Sequence, residues 1–182
     1  MRVRLAAPAR DAARVAEIYR PAVENNFISF EEVAPDAAEM EQRMSAVLAR
    51  LPWLVADDES GLVIGYAYAS PHRERAAYRW AVDISCYVDA AWHGRGIGRS
   101  LYDALLEILR GLGYVNVYAG VTLPNPASVA LHEAIGMTRI GVYRRVGYKL
   151  GQWRDVAWYD VRLSEPTTDP PPEPRSITEA TI

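Results

Sequence analysis

The sequence predicts a mixed α/β fold in which a mostly antiparallel central sheet is flanked by helices. Strict alternation over Val82–Val88 places Val82, Ile84, Cys86 and Val88 on one face of a strand and Asp83, Ser85 and Tyr87 on the other. The run that follows, His93-Gly94-Arg95-Gly96-Ile97-Gly98-Arg99-Ser100, leads into an amphipathic helical stretch, Leu101–Leu112. Around this strand–loop–helix unit, hairpin-like strand pairs mix with helical segments, an order that suits neither an all-parallel nor an all-β sheet.

Each element has its own signal. Residues 2–6 read as a first strand, and Asp11 offers an N-cap to a helix whose apolar residues Val15, Ile18, Tyr19 and Val23 recur at helical spacing. Asp36 and Glu39 form a second cap signal, opening a helix that carries Met40, Met44, Val47 and Leu48. Residues 53–56 and 62–69 read as a hairpin across the polar turn Asp57-Asp58-Glu59-Ser60-Gly61. After the glycine-containing helix come a short strand over 115–121, a Pro-Asn-Pro break, and a brief helix over 127–135 stopped by Gly136. Two strands over 138–148 and 155–163 complete the order.

With 182 residues, 50% of them hydrophobic, the chain supports one domain that buries about 70% of its unfolded surface. That domain spans 1–164. The remaining 165–182 contain Glu-Pro-Thr-Thr-Asp-Pro-Pro-Pro-Glu-Pro, which offers no apolar residues to bury, so an extended or disordered tail is expected whose removal beyond Pro166 changes little. A net charge of −3 argues against nucleic acid as a partner. The single cysteine, Cys86, excludes an internal disulfide and a cysteine-based zinc site, and a reducing, cytoplasmic setting follows. No metal is implied. No apolar run approaches the roughly 18 residues needed to span a bilayer, so no membrane partner is expected.

The glycine loop carries the first chemical signal. Glycines at alternate positions at the opening of a helix leave backbone N–H groups uncovered where the helix dipole favours negative charge, which is the construction of a pyrophosphate cradle. A Walker loop would need Gly-Lys-Ser/Thr after four intervening residues, and a dinucleotide fingerprint would need glycine where Arg99 stands. An ordinary flexible turn would use the same glycines, so the surroundings decide.

Those surroundings resemble the GNAT superfamily of acetyl-CoA-dependent N-acetyltransferases. The resemblance rests on the element order over about 1–164, on His93–Gly98 matching the pattern Gln/Arg-x-x-Gly-x-Gly/Ala except at its first position, and on Asn-Pro-Ala-Ser-Val-Ala-Leu-His-Glu-Ala-Ile-Gly-Met at 125–137. Leu131-His132-Glu133-Ala134 and Gly147–Val156 further resemble the phosphinothricin and methionine sulfoximine acetyltransferase group, which acetylates the α-amine of small amino-acid analogues. The resemblance implies the acyl-CoA N-acyltransferase fold, acetyl-CoA as co-substrate, a small amine as acceptor and a homodimer with active sites near the subunit interface, to which the aromatic strand Trp153–Tyr159 could contribute. Another amine acceptor, or a catalytically silent acyl-CoA-binding module, stays open on the same residues.

Carried over position by position, the resemblance assigns coenzyme contacts to Cys86, Tyr87 and Val88 at the strand end, to Gly94, Arg95, Gly96, Ile97, Gly98 and Arg99 in the loop, and to Asn125, which is otherwise a turn former and helix cap. Acetyl transfer needs a neutral amine, and Asp83, where the group usually has Glu, is the candidate base, directly or through water; a polar residue at a strand end is its plain alternative. Glu32 is held in reserve for that role. His132 stands where much of the superfamily has a tyrosine that protonates the leaving thiolate, although a lone histidine is more often structural. Tyr87, Tyr143 and Tyr148 are substitutes for that donor. Phe30, Glu32, Arg73 and Arg75 fall where the group keeps substrate-facing residues, the arginines suited to a bidentate carboxylate clamp and equally at home as solvated surface. Cys86 reads as a small buried residue rather than a nucleophile.

Overall fold

Local signals place most elements within a few residues of their expected positions. The computed structural model describes residues 1–165, 167, 169 and 171–179. Its elements are β1 (Arg2–Leu5), α1 (Pro8–Glu24), α2 (Ala37–Leu48), β2 (Trp53–Asp57), β3 (Val63–Pro71), β4 (Ala81–Val88), α3 (Ile97–Leu112), β5 (Asn116–Leu123), α4 (Pro126–Ala134), β6 (Thr138–Lys149) and β7 (Gln152–Arg162). One seven-stranded sheet takes them in the order β1-β2-β3-β4-β5-β7-β6. Every pairing is antiparallel except β4 with β5.

Two boundaries differ from the sequence expectation for physical reasons. α1 begins at Pro8, whose fixed φ suits a first helical position, and Asp11 is not its N-cap. Instead the Asp11 carboxylate reaches back to accept the Ala7 N–H at 2.7 Å and pairs with Arg4, itself paired with Asp57 on β2. α3 begins at Ile97 with Gly96 as its left-handed N-cap, so the last part of the glycine loop is already helix. At Asp36 the expectation and the structure coincide, its side chain accepting the Glu39 N–H at 2.9 Å.

The sheet separates two cores. On one face Leu101, Leu105, Leu109 and Leu112 of α3 pack on Val82, Ile84, Val117, Ala119, Val121, Ala157 and Tyr159. On the other, Val15, Tyr19, Val23, Met40 and Met44 of α1 and α2 cover Trp53, Val55, Val63 and Tyr66. Helices on this second face reach only as far as β4, because α1 and α2 pack on β2, β3 and β4. Beyond β4, the sides of β5, β7 and β6 opposite α3 carry no helix among the described residues, and that bare area becomes the site.

The tail corrects the expectation placed on it. Composition of the Glu165–Pro174 run says nothing of Ile177, which lies 4% exposed in the α3-side core. Arg175 N donates to Leu112 O at 2.8 Å, Ile177 N to Arg50 O at 3.0 Å, and Trp80 Nε1 to Pro172 O at 2.9 Å. Pro166, where the expected cut falls, lies outside the described residues, but a cut there removes Ile177. Ile177→Ala is therefore expected to lower unfolding free energy by about 2–4 kcal/mol, and deletion from residue 167 onward by at least as much, read from denaturant unfolding curves. Unchanged midpoints would show that the tail contributes nothing.

Candidate active site

The site begins where two strands part. β4 and β5 pair in parallel only at Ala81–Asn116, Val82–Val117 and Asp83–Tyr118. Past that point β4 stays with β3 as far as Val88–Gly65, while β5 stays with β7 as far as Leu123–Asp155. The β5-facing edge of residues 84–88 is thus left without a strand partner, a row of backbone groups that need hydrogen bonds from elsewhere.

A cleft of about 660 Å³ opens along this edge, lined by Cys86, Tyr87 and Val88, by His93, Gly94, Gly96, Ile97, Gly98 and Arg99, and by Asn125, Ala127, Ser128 and Leu131 of α4. Gly94 and Gly96 have φ of 73° and 77°, and a Cβ at either would meet nothing within 4 Å, so their amides stand bare toward the cleft. Gly98 is glycine for another reason: its Cβ would press against Leu131 Cδ2 at 3.0 Å, so it sets how closely α3 and α4 approach. Arg95 lies outward over Trp92, 4.7 Å from the ring centroid, whereas Arg99 lines the cleft and sits 3.5 Å from Asp103. His93, the departure from the loop pattern, places Nε2 2.8 Å from Val88 O and ties the loop to the end of β4. Asn125 caps α4, accepting the Ser128 N–H at 3.1 Å.

Asp83 is the last paired residue before the fork, and it faces away from α3. Burial raises its carboxyl above the usual range, opposed by a hydrogen bond from His72 and by the charge of Arg73. On this same face, opposite the α3 core, lie Tyr118 and Gly120 of β5 and Arg154, Val156 and Trp158 of β7. One rim is the loop after β3: His72 stacks on Tyr118 at 4.3 Å, and the Arg73 guanidinium lies 6.0 Å from the Trp158 ring centroid. The opposite rim is the loop between α1 and α2, where Arg154 covers Phe27 at 3.7 Å and buried Lys149 donates to Ser29 O at 2.6 Å. A Cβ on Gly147 would overlap the Phe30 ring, which lies directly against that part of β6.

Of the residues singled out by sequence, the fork gathers Cys86, Tyr87, Val88, the loop glycines, Arg99 and Asn125 on one side and Asp83 and Arg73 on the other. Phe30 belongs to the rim. Glu32 is exposed beside Lys149, whereas Glu31 is held by Arg43 and Tyr19. Arg75 is exposed ahead of a single 3-10 turn at 76–78 and is not brought to Trp158 with Arg73. His132 is 4% exposed, with Nδ1 2.6 Å from Ser128 O and Nε2 3.3 Å from the Tyr102 hydroxyl, and burial lowers its basicity. Ser128 and Leu131 reach the cleft and His132 does not, so its contacts are those of a structural imidazole. Tyr87 packs edge-on against Tyr19 at 4.9 Å, its hydroxyl held well above the usual range by burial. Burial likewise pushes the Cys86 thiol up to about 12. Sequence reasoning placed His72 within the substrate-facing run Pro71–Arg75 but gave it no role, and it missed the aromatic floor; the signal was a histidine one residue past a strand end that pairs beside Asp83.

Comparison with known proteins supplies the chemistry that this geometry accommodates. Residues 5–158 match the family described as acetyltransferase (GNAT) domain. The chain is 37% identical over 174 residues to a phosphinothricin N-acetyltransferase of Streptomyces viridochromogenes, covering 95% of this chain and 93% of that protein. It is 33% identical over 159 residues to the L-methionine sulfoximine/L-methionine sulfone acetyltransferase of Salmonella typhimurium, covering 85% and 91%. A crystal structure of a GNAT superfamily phosphinothricin acetyltransferase from Sinorhizobium meliloti in complex with AcCoA superposes with a TM-score of 0.90 at 38% identity, over 98% of this chain and 96% of that one.

The loop geometry makes a prediction that separates charge from backbone strain. Coenzyme A is expected to raise the melting temperature of the wild-type chain, and Gly96→Asp to remove most of that shift by placing a carboxylate among the amides. Gly96→Asn, which tolerates the left-handed conformation without the charge, is expected to keep much of it. Equal responses from the two variants would detach the loop from anion binding.

Proposed function

The chain belongs to the GNAT acetyltransferase family, and from that premise we propose that it transfers the acetyl group of acetyl-CoA to the α-amine of a small amino acid or amino-acid analogue. One observation carries the acceptor class. Asp83 and Arg73 stand together on the bare face at the mouth of the fork, an anion and a cation of the signs that the ammonium and carboxylate of an amino acid call for. The relatives that act on phosphinothricin and methionine sulfoximine support the same class.

In this reading the cleft residues hold the coenzyme. Gly94, Gly96, Ile97, Gly98 and Arg99 receive the pyrophosphate, while Asn125 and the free edge of β4 at Cys86, Tyr87 and Val88 receive the arm that carries the thioester. Asp83, directly or through a group bonded to it, draws a proton from the ammonium, so that nitrogen has a lone pair to attack the thioester carbonyl directly. Edge N–H groups of β4 polarise that carbonyl. Cys86 stays a thiol throughout and forms no acetyl-enzyme, since burial holds it protonated at neutral pH. Arg73 grips the carboxylate, with Phe30 bounding the far end of the acceptor face.

A reducing, cytoplasmic setting suits the free Cys86 thiol. The surface that pairs two copies is β6 more than the expected β7. β7 lies inside the sheet with Ala157 and Tyr159 in the core, whereas edge strand β6 and its turn expose Ile140, Tyr143, Val146, Tyr148 and Leu150 beside Trp153. An exposed apolar edge of this kind is a ready template for self-association. Light scattering at micromolar concentration is expected to report a homodimer, and Tyr148→Glu with Trp153→Glu to shift it toward monomer; a wild-type monomer would count against the pairing.

Thiol release measured over a panel of amino acids, their analogues and the corresponding decarboxylated amines tests the activity. Amino-acid acceptors are expected to be used, and a chain that binds acetyl-CoA without releasing thiol to any acceptor would instead be a silent binding module. Arg73→Ala is expected to lower kcat/KM for amino acids by about ten- to hundredfold, with little effect on decarboxylated amines. Arg75→Ala is expected to cost less. Equal use of an amino acid and its decarboxylated amine by the wild type would remove the clamp.

A further inference from the structure

Asp83 does not stand alone at the fork. Its Oδ1 lies 2.6 Å from Nδ1 of His72. Ser70 pairs with Asp83 and Pro71 with Val82 at the end of the β3–β4 hairpin, and His72 N donates to Ala81 O at 3.3 Å, so His72 follows Ser70 on the same face and lies diagonal to Asp83. Three aromatic side chains fix the imidazole plane: Tyr118 stacked at 4.3 Å, Tyr78 edge-on at 5.9 Å and Trp158 edge-on at 6.2 Å. An ionised carboxylate only accepts hydrogen bonds, so the hydrogen between the two residues sits on Nδ1 and the lone pair of Nε2 is presented elsewhere. Among the described residues Nε2 has no hydrogen-bond partner.

We propose that Nε2 of His72 is the atom that receives the ammonium proton, with Asp83 acting as its positioning residue. This rests on the acetyl-transfer reading above and replaces direct proton removal by Asp83. A base works best when its proton affinity falls near the working pH, and imidazole meets that condition better than a carboxylate. Asp83 keeps the tautomer that frees Nε2 and offsets the charge of the imidazolium once the proton arrives, the division of labour of a histidine–carboxylate pair. Charged and titratable groups around the pair are Arg73 and Tyr78 on its own loop, Tyr118 on β5 and, across from Tyr118 on the same face, Asp160 on β7; of these, Arg73 favours the ionised carboxylate.

Protons and bonds balance without a further reactant. One N–H bond of the ammonium breaks, its proton passes to Nε2, and the electron pair left on nitrogen forms the N–C bond to the thioester carbonyl. The C–S bond then breaks with its pair on sulfur. A second N–H proton, shed as the amide forms, balances the thiolate as free thiol, and the proton on Nε2 returns to solvent.

The test measures thiol release from acetyl-CoA by the full-length chain with an amino-acid acceptor across about pH 6–10, for wild type, His72→Asn, His72→Phe and Asp83→Asn. Both His72 variants are expected to lose about 10²–10⁴-fold in kcat at neutral pH with little change in KM, to recover part of the rate as the solution supplies neutral amine, and to respond to added imidazole. Retention of the acetyl-CoA-induced melting shift shows that the variants fold. Nitrogen-15 spectra of the wild type are expected to show His72 protonated at Nδ1, and Asp83→Asn to lose that preference. Wild-type kcat and pH profile in His72→Phe while Asp83→Asn is slow would overturn the proposal and leave Asp83 as the base. An Nε2-protonated tautomer in the wild type would overturn it whatever the activity. Absence of thiol release by the wild type with every acceptor would instead bring down the acetyl-transfer reading, and this inference with it.

Discussion

Parallel pairing between β4 and β5 ends at Asp83–Tyr118, and the rest of the site depends on that ending. Had the pairing continued, the β5-facing edge of β4 would be consumed in ladder hydrogen bonds and the sheet would be closed between its two faces. Each strand is instead held by its other neighbour, β4 by β3 and β5 by β7, so the parting costs no strand its place in the sheet. On the α3 side the gap is bounded by α3 and α4, whose approach Gly98 sets against Leu131. The result is a gap in the sheet whose anion-friendly cleft is lined by the glycine loop and α4 and also by Ile18, Pro21 and Ala22 of α1, with a bare aromatic floor beside it over β5 and β7.

Burial sorts the titratable groups around that gap. Cys86, Tyr87 and Tyr102 are all held in their neutral forms by desolvation, which raises each of them, and the same effect lowers the basicity of His132. Neutral, inert walls suit a reaction whose charges should develop only on the amine, the carbonyl and the leaving sulfur. Against that background the His72–Asp83 pair is distinctive because its two members are bonded to each other at the mouth of the gap rather than sealed inside a core. The interaction that holds the imidazole also determines which of its nitrogens can act.

Short-range chemistry made much of this legible in the sequence. Asp36 announces α2, alternation announces β4, and three glycines announce the opening of α3, because each is a local rule read over a few residues. What stayed hidden depends on contacts between distant segments. Ile177 sits in a tail whose neighbours are polar and proline-rich, and only its packing under Leu112 and Arg50 shows that it belongs to the core. Gly98 looks like one more loop glycine until α4 is laid against it. His72 was visible as a residue in a polar loop, but its pairing with Asp83 required the hairpin register, and its stacking on Tyr118 required knowing that β5 lies beside β4. Asp11 shows the opposite error, a strong local cap signal used instead for a buried ion pair with Arg4.

Charge on the acceptor face argues for the kind of molecule that sits there. Arg73 and Arg154 border the floor, buried Lys149 anchors one rim beside exposed Glu32, and the carboxylates of the face are Asp83 at the fork and Asp160 opposite Tyr118; Glu31 is occupied by Arg43 and Tyr19. A polyamine would bring two or more positive charges to a surface that already carries unpaired cations, each like-charge approach costing energy in partly desolvated surroundings. An amino acid brings one charge of each sign, which the face can meet with His72–Asp83 at the amine and Arg73 at the carboxylate. Its side chain would then lie over β5 and β7 toward Phe30, where Val156 and Trp158 atoms stand 3.4–3.6 Å from the β-carbon position at Gly120 and the Phe30 ring covers Gly147, so the surface it meets is apolar. Discrimination among amino acids therefore falls to the Phe30 end of the α1–α2 loop, which Lys149 and Arg154 fasten to the β6–β7 hairpin, whereas Asn26 and Ile28 at the start of the same loop line the coenzyme cleft, so substitutions at Phe30 should change side-chain preference with less effect on coenzyme binding.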